Sequence, residues 1–208
     1  MEVKLKWITP EAEKEIVEIA RVSSNRSDKQ EDPVPLINYM LKHKHWSPFE
    51  MVNICIDITT SRAIGRQILR HRSFSFQEFS QRYAAVTAFE PIELRAKASK
   101  NRQSSEEVIN PELWGIPANV LVDEFIESAD QLYNKLLEEG VAKECARMVL
   151  PACAQTRMYM NGTLRSWIHF ISLRDEEHAQ KESQEIAKLI KGIIIKELPL
   201  VSKALNWV

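Results

Sequence analysis

The chain has 208 residues, 44% of them hydrophobic and 27% charged, and a formal net charge of −1. That composition belongs to a folded globular chain with enough length for one domain and a sizeable core. Near-neutral charge excludes broad electrostatic coating of nucleic acid, and no run approaches the roughly 18 apolar residues that cross a bilayer. The first stretch, MEVKLKWITPEAEKE, lacks the apolar core of a signal peptide, so a cytoplasmic protein is expected. The three cysteines, Cys55, Cys145 and Cys153, have no metal-type spacing and read as buried, inert thiols.

In chain order, Val3, Leu5 and Trp7 alternate with polar residues and predict a half-buried strand. Thr9-Pro10 reads as the cap and first turn of an amphipathic helix running to about Val22. SSNRSDKQEDP reads as a polar loop, and Pro35 to His43 as a second helix. Val52, Ile54, Ile56 and Ile58 alternate with Asn53, Cys55, Asp57 and Thr59, the clearest strand in the chain. Thr59-Thr60-Ser61 offers caps for a helix packed through Ala63, Ile64 and Ile68. A further strand is expected within Ala85–Leu94, then a long exposed excursion to about Pro117. Ala118 to Glu139 has helical periodicity through Leu121, Phe125, Ala129, Leu132 and Leu136, with Gly140 as its stop. LRSWIHFISLR predicts a helix with Leu164, Trp167, Ile168 and Ile171 inward. A last long helix is expected from Asp175 to near Pro199. These elements predict one α+β domain over residues 1–208, a mainly antiparallel twisted sheet flanked by helices.

The chemistry concentrates in RHRSFSFQEFSQRY, residues 70–83. Arg70, His71, Arg72 and Arg82 crowd positive charge that only a nearby anion relieves. Arginine forks grip phosphate oxygens in pairs, and serine hydroxyls and loop amides add donors. Glu78 is the one carboxylate among them, able to pin an arginine or accept from a sugar or base. A phosphate site and a structural salt-bridge knot both fit this composition. Upstream, Arg62, Arg66 and Arg70 recur every four residues, as a basic helix face would. A second constellation lies in TLRSWIHFISLRDEEHAQKE. Arg165 and His169 share a helix face, and Arg174, His178 and Glu182 form another such series, either a solvated face or one wall of an anion pocket. Asp175 and His178 have carboxylate-x-x-His spacing, but a two-metal bundle needs that motif twice, so no metal is expected. There is no G-x-G-x-x-G and no P-loop.

Arg70-His71-Arg72, followed at a fixed gap by Ser80 and Arg82-Tyr83, resembles the signature of the flavin-dependent thymidylate synthases. His45-Trp46-Ser47-Pro48-Phe49-Glu50, Ala146-Arg147 to Leu150-Pro151, and Leu164-Arg165 through Leu173-Arg174 to His178-Ala179 resemble further family segments in order. The resemblance implies conversion of dUMP to dTMP, with methylenetetrahydrofolate as one-carbon donor and NADPH as reductant through FAD. It implies dUMP contacts at Gln67, Arg70, Glu78, Ser80, Arg82, Arg147 and Arg174. It implies FAD contacts at Ser47, Arg70, His71, Arg72, Glu78, Thr163, Arg165 and His169, with His45 and His178 near the flavin. Arg174 is the implied catalytic group, stabilising charge that builds on the pyrimidine, and Ser80 positions substrate. Thr163 stands where many relatives carry asparagine, and His169 where asparagine and histidine alternate. A homotetramer with shared active sites follows from the same resemblance. The reading from another class is a nucleotide- or RNA-binding module using the basic loop and the Arg95, Lys97, Lys100, Arg102 cluster, for which a solvated loop is the plainer account.

Overall fold

The computed structural model describes residues 1–22 and 32–208. Its frame is a four-stranded antiparallel sheet in the order β1-β2-β8-β3, with β1 Glu2–Ile8, β2 Asn53–Ser61, β3 Ser75–Glu78 and β8 Gln155–Thr163. Two small hairpins lie outside it: β4 (Arg95–Lys97) with β5 (Ser105–Val108), and β6 (Glu112–Leu113) with β7 (Ile116–Pro117). The helices are α1 (Ala12–Ala20), α2 (Val34–Lys42), α3 (Ser47–Glu50), α4 (Arg62–Ile68), α5 (Ala118–Glu138), α6 (Lys143–Ala146), α7 (Leu164–Arg174), α8 (Lys181–Glu197) and α9 (Pro199–Ala204). The architecture is α+β with an antiparallel sheet, as expected. No helix among the described residues is long and apolar enough to cross a membrane.

The alternation read in β2 organises the core. Ile54, Ile56 and Ile58 are buried opposite Gly162, Met160 and Met158 of β8. Onto this face pack Ile64 and Ile68 of α4, Trp167, Phe170 and Ile171 of α7, and Ile186, Ile190 and Ile194 of α8. The buried Trp167 indole donates Nε1–H to the Ile54 carbonyl at 3.0 Å, so no polar group is stranded there. The other face of the sheet is polar, where Arg157 pairs with Asp57 and lies over the Tyr159 ring.

Several expectations are corrected. The register of β1 shifts between Leu5 and Trp7, so Ile8 packs on the core and Trp7 stays exposed. Thr9 does not cap α1; its hydroxyl accepts from the Asn53 amide at 2.9 Å and ties β1 to the start of β2. Ala85–Leu94 holds no strand, only an isolated bridge between Phe89 and Ala154. The strand in its place is β3, inside the basic motif. The central strand β8 was not expected at all, because two of its inward positions, Thr156 and Gly162, carry little hydrophobic signal. The exposed excursion contains both hairpins. On α5, Ala129 and Tyr133 are buried, but Phe125 and Leu132 face outward. The last long helix begins at Lys181, not Asp175. Cys55 and Cys153 are buried, whereas Cys145 is exposed. The loop expected for SSNRSDKQEDP lies, over residues 23–31, outside the described residues.

Candidate active site

Strands β2 and β8 each end in a hydroxyl residue that caps the next helix. Ser61 Oγ accepts from the Ile64 amide at 3.5 Å, and Thr163 Oγ1 accepts from the Ser166 amide at 3.2 Å. The strands are antiparallel, with Asn53 opposite Thr163 and Ser61 opposite Gln155, so α4 and α7 start at opposite ends of the pair. Their C-terminal ends meet. Arg174 Nη2 donates to the Gln67 carbonyl at 3.2 Å, and Arg174 Nε donates to His71 Nε2 at 2.9 Å. The last carbonyls of a helix lack intrahelical partners and favour a cation there.

This junction concentrates positive charge. Burial, then the nearby Arg70, pushes the Arg174 pKa down. Burial, then Arg174 and then His169, lowers His71 to about 4. The arginine ion pairs among the described residues involve Arg62, Arg82, Arg95, Arg157 and Arg165. Arg70, Arg72 and Arg174 join none of them. Cations gathered without a carboxylate make an anion site, which decides against the salt-bridge knot at this end of the motif. Gln67 is held on both sides: its Nε2 donates to Gln180 Oε1 at 2.6 Å, and its Oε1 accepts from Ser183 Oγ at 3.2 Å.

A cleft of about 530 Å³ runs beside α7. Trp46 and Ile168 give it apolar surface, and Ser73, Arg165, Ser166 and His169 line it with polar groups. Arg165 and His169 therefore share a wall, as their spacing predicted. Arg165 also pairs with Glu50 of α3, the helix that Ser47 opens. Apolar surface with a cation and a few hydroxyls suits a flat aromatic cofactor carrying phosphates, and the volume is that of ordinary ligand sites. Of the expected FAD residues, Arg165 and His169 line this cleft, Thr163 is engaged as the cap of α7, and Glu78 lies beside Thr156 and Arg62, away from the cleft lining.

The remaining substrate candidates lie elsewhere. Arg62, Arg66, Gln81 and Arg147 line a second cleft of about 310 Å³. Gln81 is buried, and its Nε2 has no hydrogen-bond partner. Ser80 Oγ accepts from the Arg82 amide at 3.4 Å, and Arg82 pairs with Glu144 at 3.1 Å. Glu78 accepts from Thr156 Oγ1 at 2.8 Å, with Arg62 at 3.8 Å. The seven expected dUMP residues thus form separate groups. Gln67, Arg70 and Arg174 meet at the helix ends. Arg147 lines the second cleft, Ser80 and Arg82 flank its Gln81 in sequence, and Glu78 pairs with its Arg62; no hydrogen bond or ion pair among the described residues joins these to the helix-end group.

Several side-chain placements differ from expectation. Helix α4 ends at Ile68, so Arg62 and Arg66 share a cleft while Arg70 joins Arg174. Helix α7 ends at Arg174, which removes His178 and Glu182 from its face. His178 is exposed in the turn before α8, and His45 is exposed beside Tyr39 and His43. Phe74 is core, stacked edge-on to Trp167 at 4.7 Å. Arg95 leaves the basic cluster proposed for RNA: its side chain is 10% exposed and bonds to Glu93 and Glu182. Among the described residues, Asp175 and His178 join no group of three or more potential metal ligands.

Residues 4–200 match the family described as thymidylate synthase complementing protein. A flavin-dependent thymidylate synthase from Synechocystis sp. is 46% identical over 192 residues, covering 90% of this chain and 86% of the relative. This chain belongs to the flavin-dependent thymidylate synthase family. A probable flavin-dependent thymidylate synthase from Paramecium bursaria Chlorella virus 1 is 44% identical over 202 residues, covering 95% of this chain and 92% of the relative. Among solved structures, a UMP/dUMP methylase from Streptomyces cacaoi bound with 5-Br dUMP superposes with a TM-score of 0.81. It is 27% identical and the match covers 99% of this chain and 94% of that one. The first half of the family signature, Arg70-His71-Arg72, lies at the junction of α4 and α7. Its second half, Ser80 to Arg82, follows edge strand β3.

Proposed function

We propose that this chain, as a single domain over residues 1–208, converts dUMP to dTMP. Methylenetetrahydrofolate supplies the one-carbon unit and NADPH the reducing equivalents. FAD, when bound along the α7 cleft, supplies the redox chemistry. The observation that carries this reading is the Arg174 junction, where a half-buried guanidinium is fixed at two points and has no carboxylate partner among the described residues.

A guanidinium has five N–H donors. Arg174 uses Nε–H on His71 and one Nη2–H on the Gln67 carbonyl. The remaining three are free for substrate. Uracil C5 becomes nucleophilic as negative charge builds at N3 and O4. Arg174 set beside those atoms stabilises that charge, a preorganised electrostatic role. Arg70 adds a second cation for the nucleotide phosphate, and Gln67 orients the base. Arg147 in the second cleft, with Arg82 and Ser80 on either side of its Gln81 in sequence, binds phosphate oxygens. Arg165, His169, Arg72 and Ser47 would hold the flavin, with His71 as a further contact. Cytoplasmic location is part of the same reading.

The two substrate groups complete one site if different chains supply them. Self-association as a homotetramer meets that need. Exposed apolar side chains on α5, Phe125 and Leu132 among them, support burial against another copy.

The test is a visible spectrum of the purified protein with FAD, before and after anaerobic NADPH, followed by product analysis with dUMP and methylenetetrahydrofolate. A flavin band that bleaches with NADPH, and formation of dTMP, are expected. No flavin retained at micromolar FAD, or no dTMP, sinks the reading.

A further inference from the structure

Gln67 is the one residue of the Arg174 junction whose side chain is wired away from it. Its carboxamide nitrogen donates to Gln180 Oε1 at 2.6 Å. Gln180 Nε2 in turn donates to Glu182 Oε2 at 2.8 Å. The other oxygen of Glu182 accepts from Arg95 Nη2 at 2.5 Å. Each of the three Arg95 nitrogens is engaged: besides Nη2, Nη1 donates to Glu93 at 2.8 Å and Nε to Ser105 Oγ at 3.0 Å. Lys181 grips the same Glu93 oxygen at 2.8 Å. The chain of bonds runs from hairpin β4–β5, through the start of α8, to the end of α4.

The polarity of that chain has one direction. An ionised carboxylate only accepts. Glu182 therefore draws the NH₂ end of Gln180, which turns the Gln180 oxygen toward Gln67. That oxygen draws the NH₂ end of Gln67 and leaves the Gln67 oxygen on Ser183 Oγ. Both carboxamides are set by one charge at the far end. We propose that Glu182, clamped by Arg95, is a positioning residue that fixes the orientation of the Gln67 carboxamide for the pyrimidine nucleotide. Neither residue touches the substrate; they act through Gln180 and Gln67. A neutral amide at position 182 can donate as well as accept, so the relay loses its direction. This role rests on the proposed use of dUMP at the Arg174 junction.

A double-mutant cycle on the flavin-loaded protein tests it, with dUMP affinity measured by calorimetry and each variant's melting temperature recorded alongside. Glu182→Gln is expected to weaken dUMP binding about tenfold when Gln67 is present. In a Gln67→Ala background the same change should cost less than about twofold, because there is no carboxamide left to orient. Arg95→Met should repeat the pattern, and Arg95→Lys, which keeps a cation on Glu182, should recover part of the loss. Equal losses in both backgrounds mean that Glu182 supports the fold generally, and overturn the relay. No loss in either background overturns it as well. A wild-type protein that binds flavin but no dUMP overturns the substrate reading itself, and the relay falls with it.

Discussion

Arg174 donates its Nε–H to Nε2 of His71 at 2.9 Å, which leaves the single imidazole proton on Nδ1. The bond exists only while His71 is neutral. Burial first, and then the charges of Arg174 and His169, hold its pKa at about 4, below the ordinary 6.5. One interaction therefore sets both the aim of the guanidinium and the tautomer of the ring beside the proposed flavin site.

The pH dependence follows from that pKa. Between about 4 and 6.5 the unfolded chain binds more protons at this residue than the folded one. The His71 contribution to stability therefore rises with pH across that window and is lost as pH falls through it. Below about 4 it is flat. Phenylalanine suits the site sterically, since His71 already packs edge-on against Phe170 at 4.8 Å. Melting temperature followed from pH 4 to 7 should rise more steeply in wild type than in His71→Phe. Equal slopes would show that His71 is not the titrating group.

Arg174 is expected to act mainly in the transition state. Arg174→Ala should lower kcat by roughly 10²–10³ while the KM for dUMP changes little. Arg174→Lys keeps the charge but loses the fork that reaches His71 and Gln67 together, so its rate should fall in between. Steady-state kinetics of dTMP formation distinguishes this from simple anchoring, in which KM would rise and kcat would hold.

Flavin binding tests the first cleft separately. Arg165 lines it and is held by Glu50. A charge-assisted hydrogen bond contributes about 1.5–3 kcal/mol. Arg165→Ala should therefore weaken FAD binding by roughly tenfold or more, read from a spectral titration. Unchanged affinity would move the cofactor away from α7.

What the sequence made legible follows what each residue type signals locally. Strand β2 could be read because Ile54, Ile56 and Ile58 all face inward beside polar neighbours. Its partner β8 was hidden, because Thr156 and Gly162 share its inward face with Met158 and Met160. Strand β3 was hidden for another reason: it lies within the basic motif, where Ser75 and Glu78 read as polar groups of an anion site. The Arg165 and His169 wall was legible because it lies within one helix. Local pattern does not reveal the Arg174 junction, since Arg174, His71 and Gln67 meet only when α4 and α7 launch from opposite strand ends; the family resemblance alone put Gln67, Arg70 and Arg174 at one site. Arg95 misled by composition alone, because its acidic partner Glu182 is distant in sequence.

Two glycines should respond to alanine in opposite directions. A Cβ at Gly162 would lie 2.4 Å from Phe74 Cδ1 and 2.6 Å from Cε1. Phe74 has little room to retreat, with Trp167 at 4.7 Å and Phe170 at 6.1 Å from its ring centre. Overpacking of this kind costs about 1–3 kcal/mol. Gly192, within α8, has no atom within 4 Å of its would-be Cβ. Alanine there removes the backbone-entropy cost of a helical glycine and should stabilise by about 0.5–1 kcal/mol. Urea midpoints at constant m-value should therefore fall for Gly162→Ala and rise for Gly192→Ala. A midpoint that does not fall for Gly162→Ala would mean that the Phe74 contact does not control position 162. If Phe74→Leu restores the midpoint of Gly162→Ala, the clash is assigned to that ring.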